Sequence, residues 1–307
     1  MKCRVCRGPA VIDIRRHNAG FCRDHFLVHC QEQVRRAIHD HQMVERGDRI
    51  VVAVSGGKDS LALWDLLVEL EYDVDGLYVG LGIGDYSDES LRFARGYAGD
   101  RGLKLHEVDL RGDLGFTVPV AAAATRRAPC GACGLSKRHV FNAFARDHGY
   151  DVMATGHNLD DEAAVLLGNV LRWETGFLGR QHPVLPSAPG FVRKVKPLVR
   201  LGEREMAAYC VLRGIEYQVD ECPMAEGNRH LGYKDVLNAL EARSPGSKAS
   251  FLFGFLERAH PRFASVAAEE RGALGACTKC GSPTTDEICA FCRLRERASG
   301  VQLDDVP

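Results

Sequence analysis

The feature that most constrains the fold is a six-residue turn with two adjacent glycines, placed between an apolar run and a helix-forming run. The turn, Ser55–Ser60, has the sequence S-G-G-K-D-S and lies between Arg49–Val54 and Leu61–Leu67. Adjacent glycines allow backbone conformations closed to other residues, so several N–H groups can converge on one anion at a helix N-terminus. The segment therefore predicts a phosphate site between a strand and a helix.

This turn matches neither of the two common nucleotide-binding fingerprints. G-x-x-x-x-G-K-[ST] needs four residues between its glycines, and G-x-G-x-x-G needs a different spacing again. A tight strand-to-helix turn without any ligand is the alternative that this segment alone leaves open.

Strand and helix patterns alternate from this turn onward. The predicted strands are 49–54, 74–79, 103–108 and 150–155, and the predicted helices are 59–71, 88–101, 135–148 and 159–173. Repeated βα units imply an α/β fold, a doubly wound and mainly parallel sheet with helices on both faces. Ligands bind outside the carboxyl ends of such strands, so we expect the loops 55–60, 109–134 and 156–161 to share one crevice.

Composition limits the class of protein. The chain has 307 residues, 45% of them hydrophobic and 26% charged, and no apolar run is long enough to cross a bilayer. The first residues lack the apolar stretch of a signal peptide, so we expect a cytoplasmic protein with no membrane partner. The net charge of −1 means that any nucleic-acid partner is held by local patches.

Seven of the twelve cysteines, together with His25, occur in close pairs at zinc-ligand spacing near the two ends of the chain. Two close pairs of ligands can wrap the edges of one tetrahedron. The predicted zinc ligands are Cys3, Cys6, Cys22 and His25 in one set, and Cys277, Cys280, Cys289 and Cys292 in the other. We therefore predict zinc modules at residues 1–30 and 271–307, flanking a catalytic domain at 31–270. The polar loop Arg15–Asn18 inside the first module could contact an RNA backbone, but we expect it to be solvated.

Three further cysteines lack a fourth partner. Cys130 and Cys133 form a C-x-x-C after Pro129, and Cys222 precedes Pro223. Three thiolates can hold a [4Fe–4S] cluster whose fourth iron stays open and could bind sulfide. Alternatively, two of them could be low-pKa thiols that form a persulfide and then a disulfide during sulfur transfer. Cys30 and Cys210 lie among apolar neighbours and are predicted to pack in the interior, Cys30 half-buried and Cys210 in the core.

The loop after the fourth predicted strand carries a run of acidic residues. It reads G-H-N-L-D-D-E from Gly156 to Glu162 and enters a helix. Asn158 or Asp160 could simply cap that helix. Asp160 and Asp161 could equally hold a Mg²⁺ ion that neutralises ATP oxygens. Further along, Lys194–Lys196 could track a phosphate backbone.

Taken together, these motifs resemble the TtuA branch of the tRNA 2-thiouridine synthetases, in the PP-loop ATP pyrophosphatase superfamily with its HUP-like fold. The resemblance covers the N-terminal C-x-x-C/C-x-x-H, S-G-G-K-D-S, P-C-x-x-C-G, G-H-N-x-D-D-E, E-C-P and the closing pair of C-x-x-C motifs. It implies an ATP-dependent tRNA sulfurtransferase that adenylates a uridine C2 oxygen and then replaces that oxygen by sulfur.

The resemblance also assigns roles to residues and implies partners. It places a [4Fe–4S] cluster on Cys130, Cys133 and Cys222, and it makes Lys137 and Asp161 catalytic. The implied residues for ATP and Mg²⁺ are Ala53, Ser55, Gly56, Gly57, Lys58, Asp59, Ser60, Gly156, His157 and Asp161. The implied partners are tRNA and a ubiquitin-like sulfur carrier with a C-terminal thiocarboxylate, and members of the family often form homodimers.

Alternative functions remain open at this point. The thiolated uridine could lie in the T-loop, giving 5-methyl-2-thiouridine, or at the anticodon wobble position. A PP-loop also serves amide-forming and lysidine-forming ligases, which use a nitrogen nucleophile and no iron. From a different class, the chain could be a zinc-dependent RNA-binding protein without catalysis.

Overall fold

A six-stranded sheet covered by helices on both faces forms the centre of the molecule. The structure, a computed structural model, describes residues 1–225, 229–269 and 274–300. The strands are β1 (Ile12–Ile14), β2 (Ala19–Phe21), β3 (Ile50–Val54), β4 (Val74–Gly80), β5 (Leu105–Asp109), β6 (Val152–Thr155), β7 (Val184–Leu185), β8 (Arg193–Val195), β9 (Gly275–Ala276) and β10 (Pro283–Thr284).

Helices connect most of the strands. They are α1 (Arg23–Asp40), α2 (Lys58–Glu69), α3 (Gly84–Arg101), α4 (Leu110–Leu114), α5 (Val118–Thr125), α6 (Pro129–Asp147), α7 (Leu159–Leu171), α8 (Thr175–Leu178), α9 (Glu203–Arg213), α10 (Arg229–Arg243), α11 (Ser247–Arg258), α12 (His260–Glu269) and α13 (Ala290–Ser299). Short 3-10 turns lie at Arg15–His17 and Pro197–Arg200.

The central sheet confirms the predicted doubly wound α/β fold. Its spatial order is β5-β4-β3-β6-β8-β7, and every neighbouring pair is parallel except β7 with β8. The chain reverses its direction of winding between β3 and β6, so a crevice opens at the carboxyl ends of these two strands. The turn after β3 and the loop after β6 both lie at that crevice.

Apolar side chains fill both faces of the sheet. On one face, Trp64 and its neighbours along α2 are fully buried against α1, α3 and α9. On the other face, Phe116 and Phe141 pack with side chains of α5 and α6, and this second core also includes Phe291 of α13. The buried strands β3 and β4 therefore read as nearly continuous apolar runs, as strands covered on both faces do.

The predicted helix at 135–148 begins earlier than the sequence indicated. Helix α6 begins at Pro129 and places Cys130 and Cys133 in its first two turns, whereas we expected them in a loop. Proline is favoured in the first turn of a helix, because that position needs no N–H donor. The prediction was wrong because we took the C-x-x-C as a loop motif.

Several smaller elements were not predicted. Helices α4, α5, α8 and α12 and the two short strands β7 and β8 had no clear periodicity in the sequence. The predicted domain boundary at residue 30 falls inside α1, and residues 270–273 near the second boundary lie outside the described ranges, so both boundaries stay predictions. Across the described ranges, no helix is both long enough and apolar enough to cross a membrane.

Candidate functional site

The turn Ser55–Ser60 joins β3 to α2 with the geometry of an anion-binding loop. Gly56 has φ +74°, and a Cβ on it would lie 2.2 Å from the carbonyl oxygen of Ser90. Only glycine fits there, because the conformation is left-handed and the neighbouring backbone is too close. Ser60 Oγ accepts the N–H of Ser55 at 3.1 Å and donates to the carbonyl of Gly57 at 2.9 Å, which fixes the curl of the turn.

The turn presents unpaired backbone donors toward the crevice. Within the described ranges, the N–H groups of Gly56, Gly57 and Lys58 have no hydrogen-bond acceptor. Gly57 is the N-cap of α2, so these donors lie at the positive end of a helix of twelve residues. This arrangement is suited to an anion such as phosphate.

Charged side chains form a closed ring beside the turn. The ammonium of Lys58 lies 3.0 Å from Asp59 and 2.9 Å from Glu203. Glu203 reaches Lys234 at 3.3 Å with its other oxygen, and Lys234 lies 2.6 Å from Asp161. Asn158 completes the ring, because its amide donates to Asp59 at 2.9 Å and its backbone N–H donates to Asp161 at 3.1 Å.

Protonation within this ring follows from burial and from the neighbouring charges. Burial raises the pKa of Asp59, and Asp161 adds to that rise, although Lys58 opposes it. Burial lowers the pKa of Lys58, but the carboxylates of Asp59 and Glu203 outweigh it and the net pKa is raised. The ring therefore holds its lysines charged and crowds its carboxylates together, which is a setting that favours a further cation.

The helix-capping reading of the loop after β6 is confirmed in part. Asn158 caps α7, and Asp161 returns the bond to the backbone of Asn158, as in a capping box. Asp160 points away from the turn Ser55–Ser60, because it pairs with the buried Lys248 and accepts the N–H of Glu203 at 2.9 Å. Asp160 is therefore a structural residue, whereas Asp161 faces the ring.

Gly156 and His157 complete the contact between this loop and the turn. A Cβ on Gly156 would lie 2.9 Å from the backbone of Asp59, so glycine lets the two loops touch. Thr155 and His157 share a hydrogen bond of 2.8 Å between Oγ1 and Nδ1.

On the other side of the turn, a cavity of about 470 Å³ brings the second group of predicted residues together. Ser55 and His157 line it from the phosphate side. Its opposite wall contains Cys130, Cys133, Lys137 and Cys222, and apolar groups of β4 and α6 line the rest. Ala53 packs at the rim of the same apolar core.

The three thiols of this cavity are crowded. Burial raises the pKa of Cys133, Lys137 opposes the rise, and the neighbouring Cys222 and Cys130 add to it. Burial also raises the pKa of Tyr86 in the cavity wall, with further contributions from the charges of Cys222 and Cys133. Negative charge on Cys133 is therefore unfavourable unless a cationic group lies beside it.

The segment that carries Cys222 is tied directly to the phosphate turn. The backbone N–H of Gln218 donates to the carbonyl of Gly56 at 2.9 Å, and its side chain donates to the carbonyl of Tyr86 at 3.0 Å. Gln218 thus fixes the chain four residues before Cys222 against the turn. This contact links the two halves of the site.

An open groove of about 810 Å³ lies on the far side of the ring. Lys58 and Asp59 line it together with residues of the N-terminal zinc module and of α9 to α11, among them Arg15, Arg16 and Lys248. The groove is therefore continuous with the phosphate turn and carries charges of both signs.

Both predicted zinc sets converge as tetrahedral sites require. The ligand atoms of Cys3, Cys6, Cys22 and His25 lie within 4.8 Å of one another, and so do those of Cys277, Cys280, Cys289 and Cys292. One sulfur pair in each set, Cys6–Cys22 and Cys280–Cys289, is 3.7 Å apart. Zinc–sulfur bonds of about 2.3 Å in a tetrahedron give an edge of about 3.8 Å.

The cysteines of the cavity are spaced differently. Among the described residues, Cys130, Cys133 and Cys222 do not form a set with all sulfurs inside 4.8 Å. Cys130 Sγ instead donates weakly to the carbonyl of Met224 at 3.8 Å. A wider spacing excludes tetrahedral coordination of one zinc ion without movement and leaves room for a group larger than a single ion.

Several basic residues that we expected to face solvent or a phosphate backbone make contacts within the protein. Arg16 makes a two-point ion pair with the buried Glu205, with one N–O distance of 2.9 Å. The expectation of a solvated loop was therefore wrong for Arg16, whereas the other three residues of that loop are exposed as expected. Lys196 pairs with Glu162 at 2.7 Å, and burial lowers the pKa of Lys194. Lys194 lies in β8, an inner strand between β6 and β7, and Lys196 follows that strand directly, so both lysines are held against the protein. Cys30 is fully buried, as is Cys210.

Sequence reasoning missed two residues of the ring, Glu203 and Lys234. Glu203 begins α9 and Lys234 lies in α10, far along the chain from the turn. No spacing rule connects positions in three separate helices, so local motifs carried no signal for them.

The chain is similar to known proteins over nearly its whole length. Residues 2–27 match the family model described as 2-thiouridine synthetase TtuA, N-terminal LIM domain. The chain is 49% identical to the tRNA-5-methyluridine(54) 2-sulfurtransferase of Thermus thermophilus, covering 96% of this chain and 91% of that protein. The enzyme of the same name from Pyrococcus horikoshii is 41% identical, covering 95% and 93%.

A solved structure shares the fold. The U34-tRNA thiolase NcsA from Methanococcus maripaludis, described with its [4Fe–4S] cluster, superposes with a TM-score of 0.81 and covers 98% of each chain at 24% identity. The overall fold is therefore common to both proteins.

Proposed function

Because the chain belongs to the family of the tRNA-5-methyluridine(54) 2-sulfurtransferases, we propose that it replaces the C2 oxygen of a T-loop uridine of tRNA by sulfur. The single observation that carries this proposal is the cavity in which an anion-binding turn, Lys137 and three thiols meet. Such a cavity supplies both halves of the reaction, because the oxygen must first become a leaving group and a sulfur must then displace it.

The first half is activation of the uridine by ATP. The C2 oxygen attacks the α-phosphorus, the bond from that phosphorus to the bridging oxygen breaks, and pyrophosphate leaves with the electron pair. The donors of Gly56, Gly57 and Lys58 are directed to the site where this charge develops. Lys137, in the wall of the adjoining cavity, can stabilise the α-phosphate.

A magnesium ion fits the acidic side of the ring. Asp59 and Asp161 approach each other closely enough for the charge of Asp161 to raise the pKa of Asp59. Carboxylate oxygens of this kind are the ligands that Mg²⁺ prefers, and the ion would neutralise phosphate oxygens of ATP. We assign Asp59 and Asp161 to that ion.

The second half is displacement by sulfur. A nucleophilic sulfur attacks C2, the bond from C2 to the oxygen breaks, and AMP leaves carrying the former uridine oxygen. The thiols of Cys130, Cys133 and Cys222 fit a [4Fe–4S] cluster, because their mutual charge is relieved by a cationic centre and their spacing exceeds that of a zinc site. Such a cluster with three protein ligands supplies one open iron for a sulfur species.

The remaining parts of the proposal concern partners and structural metals. Two zinc ions fit the ligand sets of the terminal modules. We further propose that a ubiquitin-like carrier with a C-terminal thiocarboxylate delivers the sulfur and that two copies of the chain associate. A relative from Caenorhabditis elegans, 29% identical, is named cytoplasmic tRNA 2-thiolation protein 1, in agreement with action in the cytoplasm.

Anaerobic purification and metal analysis of the variant Cys222→Ala test the proposal. Wild-type protein is expected to hold about four iron and two zinc atoms per chain. The variant should keep zinc and fold but lose iron and thiolation of tRNA. Cys30→Ala is the matched control, since that thiol is buried in α1 and lines neither the cavity nor the groove. Normal thiolation by the Cys222→Ala variant would contradict the cluster assignment.

Wobble-uridine thiolation is the second candidate, because the NcsA protein of the same fold is described as a U34-tRNA thiolase. The higher identity to the enzymes named for position 54 favours the T-loop. Mass spectrometry of nuclease fragments from tRNA treated with the enzyme would locate the thiolated nucleotide. Sulfur in the anticodon fragment alone would reverse the assignment.

A further inference from the structure

Two lysines at the phosphate turn share one counter-ion. Glu203 binds Lys58 with one carboxylate oxygen at 2.9 Å and Lys234 with the other at 3.3 Å. Each lysine also touches an aspartate, Lys58 touching Asp59 and Lys234 touching Asp161. Glu203 is thus the centre of a chain of alternating charges that ends on both proposed magnesium ligands.

The charges of this chain do not balance. Asp59, Asp161 and Glu203 contribute three negative charges, and the two lysines contribute two positive charges, so the sum is −1. An incoming triphosphate would be repelled by this arrangement as it stands. Binding therefore requires both a divalent cation on the aspartates and a new partner for the ammonium groups.

Glu203 is well placed to release the lysines. Its backbone is held, because its N–H donates to Asp160 at 2.9 Å and it begins α9. Its side chain, however, is 41% exposed, whereas those of Lys58 and Lys234 are each 21% exposed. The carboxylate can therefore turn into water while the lysines stay beside the turn.

We propose that Lys234 is a second phosphate-binding lysine and that Glu203 is the resting counter-ion of both lysines. When Mg²⁺ and ATP bind, the ion takes over the aspartates, and Lys58 and Lys234 move from carboxylate to phosphate oxygens. The side chain of Lys234 comes from α10, so this helix would close the phosphate turn from the side opposite to α2. The inference rests on the proposed binding of ATP at this turn.

Calorimetric titration of the full-length protein with inorganic pyrophosphate, at one fixed saturating concentration of Mg²⁺ for every variant, tests the proposal. We expect Lys234→Met to weaken binding about tenfold and Lys234→Arg to retain most of it, since the arginine keeps the charge. Glu203→Gln should strengthen binding several-fold, because the lysines lose their competing partner. Lys104→Met is the matched control: its ammonium pairs with Asp75 at 3.7 Å, at the amino end of β5.

Thermal unfolding of each variant separates a local effect from loss of folding. Unchanged pyrophosphate binding by a folded Lys234→Met variant would overturn the role of Lys234. Weaker binding by Glu203→Gln would overturn its role as a counter-ion and indicate that it holds the ligand. Pyrophosphate binding that follows these expectations without any thiolation would instead refute the proposed function and leave the phosphate site intact.

Discussion

The two terminal modules have similar ligand sets but are attached to the rest of the protein by different kinds of interaction. The N-terminal module, residues 1–30, is held by Arg16, which makes a buried ion pair with Glu205 of α9. The C-terminal module, described at residues 274–300, is held by apolar contact, because the ring of Phe291 stacks on His139 of α6 with centroids 3.8 Å apart. The N-terminal module also packs Ile14 and Phe21 into the main core, so it adds a buried ion pair to apolar contact, whereas the C-terminal module is held chiefly by apolar contact.

The difference matters because each module lies against a different half of the site. The N-terminal module lines the open groove beside Lys58. The C-terminal module packs on α5 and α6, and α6 carries Cys130, Cys133 and Lys137. We therefore expect folding of the N-terminal module to affect the anion-binding turn and folding of the C-terminal module to affect the cavity with the three thiols.

The largest expected effect separates the modules by their metals. Cys289→Ser and Cys6→Ser should each lose one zinc ion per chain, since a structural zinc contributes on the order of 10 kcal/mol to the folding of such a module. Only Cys289→Ser should also lower iron retention by half or more, because α6 loses the apolar side chains of α13 that pack against it. Metal analysis after anaerobic reconstitution measures both. Equal iron retention in the two variants would show that the C-terminal module supports the cysteine cavity no more than the N-terminal module does.

The second largest effect is expected for the buried ion pair that attaches the N-terminal module to α9. Glu205→Gln leaves the guanidinium of Arg16 buried without its counter-charge, and we expect a loss of about 4 kcal/mol in the free energy of unfolding. Urea denaturation measures this loss, and the double variant Arg16→Met/Glu205→Gln should recover part of it. A double variant less stable than Glu205→Gln would argue against an uncompensated charge as the cause.

The apolar contact that attaches the C-terminal module is expected to contribute somewhat less to the free energy of unfolding. Phe291 is 3% exposed, and Phe291→Ala should cost about 3 kcal/mol through lost burial and the cavity that remains. Arg293→Ala on the exposed side of α13 serves as the control. Iron should be lost faster from Phe291→Ala than from Glu205→Gln at equal stability. Faster iron loss from Glu205→Gln would contradict the idea that the C-terminal module is the one that supports the cysteine cavity.

The smallest expected effect concerns pH. Burial, with Arg146 and Arg295, lowers the pKa of His139 to about 4 from an ordinary value of 6.5. The unfolded chain therefore binds more protons between those values, so the stability from neutral His139 is complete above pH 6.5 and falls as the pH falls. His139→Phe keeps the stack and should flatten the decline in urea midpoint between about pH 7 and 5.5. An identical decline in both proteins would exclude His139 as its source.

Much of the fold could be predicted from the sequence because its signals are local. The strand, glycine turn and helix around Ser55–Ser60 follow from neighbouring residues, and so do the parallel sheet and the short ligand pairs of the zinc sets. The start of α6 was wrong by six residues for an equally local reason, since Pro129 was taken as a loop residue.

The sequence by itself determined the motifs to which we assign the chemistry, since C-x-x-C and S-G-G-K-D-S place their groups within one or two turns of chain. Only the tertiary structure decided which distant groups meet. It paired Arg16 with Glu205, tied Gln218 to Gly56, and joined Lys58 and Lys234 through Glu203. These contacts depend on how helices pack on the sheet, and packing sums many weak interactions that no short stretch of sequence contains.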